Sequence, residues 1–134
     1  MSGKAPRVSL RSDLGRVRGL GSARAGVAHW WAQRLTALAL IPLTVWFVAS
    51  VLSLIGAPHA AVVDWVASPV PALLLILLTV ATFHHAQLGL QVVIEDYVHG
   101  EAAKLTLLLL VKAVAIVLSL AMVFAVFRMY SWGS

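Results

Sequence analysis

Apolar positions along this chain do not alternate and do not repeat with a helical period; they run on almost unbroken in three long blocks. A helix rises about 1.5 Å per residue, so crossing about 30 Å of hydrocarbon takes roughly 20 residues. Three segments meet that length. The first runs from about Trp30 to Ile55 and ends at the helix-stop signal Gly56-Ala57-Pro58. The second starts near Pro71, a residue suited to an early helical position, and continues to about Ile94. The third covers residues from about Ala103 to Phe127. Short connections make successive spans antiparallel, and the pattern predicts an all-α membrane protein of three transmembrane helices running up-down-up. Pro42, inside the first span, predicts a kink or a local loosening there.

Composition supports the bilayer as solvent. Of the 134 residues, 61% are hydrophobic and 11% charged, against about 45–50% apolar and about 25% charged in a soluble domain. The net charge of +5 is unevenly placed: Lys4, Arg7, Arg11, Arg16, Arg18 and Arg24 precede the first span, and the 56–70 loop has no Lys or Arg. A basic juxtamembrane arm accounts for that distribution without nucleic acid as a partner. By the positive-inside rule the arm, residues 1–29, is cytoplasmic and the 56–70 loop external. The 95–104 loop with Lys104 is then cytoplasmic, and a short tail, 129–134, is external beyond an anchor domain over 30–128. Trp30 and Trp31 at the inner boundary, with Trp65, Tyr130 and Trp132 at the outer, match interfacial aromatic belts. The arm is also similar to an organelle transit peptide, although no cleavage site marks it; the first apolar block starts too late and runs too long for a secretory signal. The absence of cysteine excludes disulfides, Cys-ligated zinc and iron–sulfur clusters from this chain.

Ionisable side chains within a span are costly and are functional candidates by default. Arg34, the pair His84-His85 and Lys112 qualify. Lys112 is close enough to the cytoplasmic end for its stem to snorkel to headgroups. Arg34, beside His29 and Gln33, either anchors phospholipid phosphates or lines a pocket at the inner face. His84-His85 fall roughly 20 Å from the outer face, near mid-membrane. A histidine there needs a carbonyl, a proton-relay neighbour or a metal as partner. At about 100° per residue, Ala81, His85, Leu88, Gly89, Val92 and Asp96 share one stripe and His84 points away from it. Gly89, one turn beyond His85, admits something flat or bulky, a haem edge or another helix. Further on, Glu95-Asp96-Tyr97-Val98-His99 gathers carboxylates, a phenol and imidazole at the inner interface, where acids oppose the helix dipole. Tyr97 serves as a belt residue or as a hydrogen-bond donor to the carbonyl of a membrane-borne ligand such as a quinone.

Two stretches resemble the cytochrome b membrane anchor of succinate dehydrogenase (respiratory complex II), its smaller, D-type hydrophobic subunit in bacteria. One is His85-Ala86-Gln87-Leu88-Gly89 followed by Asp96-Tyr97-Val98; the other is residues 16 to 43, RVRGLGSARAG and HWWAQRLTALALIPL. The resemblance implies half of a heterodimeric anchor bundle. In it His85 is one axial ligand of haem b, the other histidine coming from a second three-helix anchor subunit. Tyr97, with Asp96 beside it, hydrogen-bonds ubiquinone as substrate, and Arg34 lies near the haem propionates and quinone pocket. FAD and iron–sulfur clusters belong to partner flavoprotein and iron–sulfur subunits docked on the cytoplasmic face of the bacterial inner membrane, with phospholipid around the spans. His84 has no counterpart in the pattern. From another class, a small transporter or scaffold subunit would use His84/His85 and Glu95/Asp96 for proton or metal handling.

Overall fold

The computed structural model describes residues 23–133, so the basic arm through residue 22 lies outside the described residues. Four helices follow one another: α1 Ala23–Ser53, α2 His59–Ala67, α3 Pro69–Tyr97 and α4 Glu101–Gly133. Three of them, α1, α3 and α4, are long and apolar enough to cross a membrane. Helices of 31, 29 and 33 residues extend about 46, 44 and 50 Å at about 1.5 Å per residue. Each therefore passes beyond the hydrocarbon at one or both ends, or tilts within it.

The helix ends show why the apolar runs understate the helices. α1 starts at Ala23, before the first tryptophan, because the preceding Ala-Arg-Ala-Gly-Val-Ala-His stretch contains nothing that forbids a helix. It continues through Pro42 without interruption. It stops where expected: Gly56 takes φ 79°, a left-handed conformation that L side chains resist, and Ala57 N–H bonds the Leu54 carbonyl at 3.0 Å. α3 begins at Pro69 rather than Pro71, with Ser68 at its cap and a proline as its first residue. Only residues 98–100 separate α3 from α4, and α4 continues through the stretch expected as an external tail as far as Gly133.

The connection after α1 is not a plain loop. Pro58, at φ −65° and ψ 153°, caps the nine-residue α2, and its carbonyl accepts from the N–H groups of Ala61 and Val62. Trp65 of α2 stacks on Trp46 of α1, ring centroids 5.8 Å apart at 22°. That ring is thus held against a neighbouring helix.

α3 is the centre of the structure. It lies against α4 along the most extensive helix pair and against α1 on its other flank, with α2 seated on α4 and α3 at one end. The backbones of α1 and α4 nowhere come into contact. The long helices therefore form an open row rather than a closed triangle, and little is enclosed. Among the described residues only Ala72, Leu88, Ile94 and Val126 are buried apolar residues, whereas most large apolar side chains are exposed. A helix hydrophobic all round, with no water-shielded core behind it, is suited to lipid and to other helices.

Candidate functional site

Polar chemistry collects along α3, and adjacent residues meet different neighbours around it. His85 lies about 24 Å along the axis from Pro69 at about 1.5 Å per residue, close to the middle of the helix. Its ring is half-buried, and Nδ1 stands 3.0 Å from Thr36 Oγ1 of α1. Thr36 Oγ1 is also 2.7 Å from the Ala32 carbonyl and 3.1 Å from that of Gln33. Among the described residues His85 Nε2 has no hydrogen-bond partner.

The stripe expected on α3 is thus turned toward α1. Leu88 is buried, and a Cβ added to Gly89 would meet Gln33 Nε2 at 3.8 Å. Of the two neighbours open for Gly89, the structure supplies another helix. Along α1 the complementary stripe is His29, Gln33 and Thr36, spaced by four and three residues. Its polar atoms are not all answered: His29 Nε2 and Gln33 Oε1 are buried without a partner among the described residues. In an apolar medium such atoms are costly and call for a donor or acceptor from outside the chain, or for water.

His84, exposed, faces the other way. It lines a cavity of about 490 Å³ with Gly26 and His29 of α1, Gln87, Gln91 and Glu95 of α3 and Lys112 of α4. Glu95 accepts a hydrogen bond from Gln91 Nε2 at 2.8 Å. Lys112, expected to snorkel, borders this polar cavity. His84 and Glu95 thus line this cavity, whereas His85 meets Thr36; His29 borders both surroundings.

Arg34 is exposed and packs its guanidinium over the Trp30 ring, 5.4 Å from the centroid. Trp30 in turn meets Trp31 edge-on at 5.1 Å. Asp96 and Tyr97 are exposed at the last turn of α3, Tyr97 by 77%. Neither side chain hydrogen-bonds within the described residues. The structure brings His85 together with Thr36 and Gln33; it leaves Arg34, Asp96 and Tyr97 as open, outward groups. Thr36 did not stand out in the sequence. Its signal was the helical spacing of His29, Gln33 and Thr36, which puts three polar groups on one face of an otherwise apolar helix.

Residues 9–124 match the family model described as succinate dehydrogenase/fumarate reductase transmembrane subunit. The chain belongs to that family. Among its relatives, the succinate dehydrogenase hydrophobic membrane anchor subunit of Rickettsia bellii is 31% identical over 118 residues, covering 88% of this chain and 94% of the relative. The corresponding subunit of Rickettsia conorii is 30% identical over 119 residues, covering 88% and 94%. The succinate dehydrogenase membrane anchor subunit of Reclinomonas americana is 29% identical over 96 residues, 69% and 80%. The matched region contains Arg34, Thr36, His84, His85, Asp96, Tyr97 and Lys112.

Because the Gln33 amide is at ordinary contact distance from a Cβ at position 89, Gly89→Ala should leave the α1–α3 packing intact. It should stabilise the chain slightly, by about 0.5–1 kcal/mol, through the lower backbone entropy of alanine in a helix. Gly89→Phe should separate the helices. Unfolding in mixed detergent followed by circular dichroism checks the order Ala, Gly, Phe.

Proposed function

We propose that this chain is the hydrophobic membrane anchor subunit of a succinate dehydrogenase, a non-catalytic part of a succinate:ubiquinone oxidoreductase. It supplies one axial ligand of haem b and part of the ubiquinone site, and it docks the flavoprotein and iron–sulfur subunits to the membrane. The observation that carries the haem reading is the state of His85. Its Nδ1 is engaged by Thr36 and its Nε2 is unpartnered near mid-membrane, which is the arrangement an imidazole needs to ligate a metal through Nε2. The unanswered polar atoms of His29 and Gln33 on the same helix interface also fit a site completed from outside the chain.

When bound, the haem provides one-electron redox capacity, and its electronic chemistry is the cofactor's own. The chain's residues do simpler things. His85 presents a neutral nitrogen lone pair, and the second ligand comes from the second three-helix anchor subunit. Arg34 keeps a permanent positive charge near the inner interface, suited to haem propionates or to a polarised quinone. Tyr97 offers a phenolic O–H at the end of α3 that donates to a quinone carbonyl, with Asp96 beside it to accept a hydrogen bond or hold a proton. Electrostatic orientation agrees with this placement. The Lys/Arg bias favours a multi-pass protein of the bacterial inner membrane with its amino terminus cytoplasmic and its carboxyl terminus periplasmic, so Tyr97 opens on the side where the iron–sulfur subunit docks.

The transporter alternative draws on His84/His85 and Glu95/Asp96 acting together. His84 and Glu95 line one cavity, and His85 and Asp96 are not among its lining residues. Among the described residues no three His, Asp or Glu side chains are grouped to hold a metal ion.

In the purified complex, His85→Ala should abolish the b-type signal of the reduced-minus-oxidised absorbance spectrum, and His84→Ala should retain it; an unchanged signal in His85→Ala removes the ligand assignment. Tyr97→Phe should lower quinone reduction about tenfold, the worth of one hydrogen bond of about 1–1.5 kcal/mol, with succinate oxidation by artificial acceptors intact. Equal loss of both activities would count against a quinone role for Tyr97.

A further inference from the structure

Histidine has two chemically distinct ring nitrogens, and in the neutral ring one bears the proton while the other holds a lone pair. Only the lone-pair nitrogen can ligate a metal. Which one that is depends on what the other nitrogen meets, and here it meets a single hydroxyl, that of Thr36, at 3.0 Å.

A threonine hydroxyl has one proton and can accept through its lone pairs. Two observations say where that proton goes. The Ala32 carbonyl, one turn back on α1, lies only 2.7 Å from Thr36 Oγ1, closer than the imidazole does. Three other helical hydroxyls behave in the same way: Ser50 donates to Trp46 O, Thr79 to Leu75 O and Thr106 to Ala102 O, each at 2.8 Å and each to the carbonyl four residues back. With its proton held by the Ala32 carbonyl, Thr36 Oγ1 has only lone pairs to offer. A hydrogen bond to His85 then requires the proton on Nδ1. Nε2 is left bare.

We propose that Thr36 is the positioning residue that sets His85 in its Nδ1–H form and orients the ring to ligate iron through Nε2. This rests on the haem-ligand reading of His85. The back-bond to the Ala32 carbonyl of α1 fixes the hydroxyl beside the ring. His84, turned about 100° round α3 from His85 and exposed to a polar cavity, has no such hydroxyl partner among the described residues. The choice between two adjacent histidines is thereby made by a residue 49 positions away in the chain.

Thr36→Val keeps the shape and removes the acceptor; Thr36→Ala removes the acceptor and leaves room for the ring; Thr36→Ser keeps the hydroxyl. Purified complexes of each, beside His85→Ala, are compared by haem content, by the low-spin ferric electron paramagnetic resonance spectrum and by the haem midpoint potential. Orienting partners of metal-bound histidines are typically worth 10–100-fold in metal affinity. The expected result is haem lost at least about tenfold more readily from the Val and Ala complexes. The haem that remains should have displaced g values and a raised midpoint potential, because an Nδ1–H without an acceptor makes a poorer donor ligand. Thr36→Ser should restore all three. Haem affinity, g values and potential unchanged in whichever of Thr36→Val and Thr36→Ala assembles, while His85→Ala loses its haem, would overturn the role of Thr36 and leave the ligand reading standing. Haem retained unchanged in His85→Ala would remove the ligand reading itself, and the role of Thr36 with it.

Discussion

Hydrocarbon offers a polar group no water, and the contact between Thr36 and His85 is where this chain meets that condition at mid-membrane. The hydroxyl satisfies a carbonyl of its own helix and accepts from an imidazole on the next. A turn beyond His85, Gly89 brings the backbone of α3 close to the Gln33 amide of α1. Hydrophobic burial cannot hold helices together in a solvent as apolar as they are. Close packing and a small number of hydrogen bonds must do it. The same bond that joins the helices also decides the tautomer of His85, so the structural and chemical roles of this pair are one arrangement.

The open row of helices gives that arrangement its setting. With α3 between α1 and α4, and the outer two out of contact, both broad faces of the layer remain available. A soluble protein could not leave Leu38, Ile41, Val45 and Leu120 more than 60% exposed on such a scale. In a membrane such apolar surface is covered by lipid or by other helices. Among the described residues His29 Nε2, Gln33 Oε1 and the side chains of Asp96 and Tyr97 have no hydrogen-bond partner, and Arg34 is exposed beside Trp30. Membership of a family of succinate dehydrogenase and fumarate reductase transmembrane subunits gives those open groups a coherent use.

The spans were legible because apolar run length is a blunt and strong signal: no arrangement of so many Leu, Val and Ala residues is stable in water. Helix ends were harder to read. α1 starts seven residues before Trp30 (30 − 23) because helix formation does not require apolar residues once the chain leaves the hydrocarbon. α2 was read as loop, being nine residues long and therefore too short for a span; the Trp46–Trp65 stack that seats it joins residues far apart in sequence. The divergence of His84 from His85 followed directly from 100° per residue. What each histidine meets did not, because a hydrogen bond across 49 residues leaves no local trace. The open row was equally hidden, since short connections determine which helices run antiparallel and say nothing about whether the first and last ones touch.

The most direct test of a shared anchor is the low-spin ferric electron paramagnetic resonance spectrum of this chain purified alone and together with a second three-helix anchor subunit, quantified against polypeptide. One bis-imidazole haem per pair, absent when this chain is alone, is the predicted result. A full complement of bis-imidazole haem on the isolated chain would contradict it, since both ligands would then come from this polypeptide and His85 would need no partner.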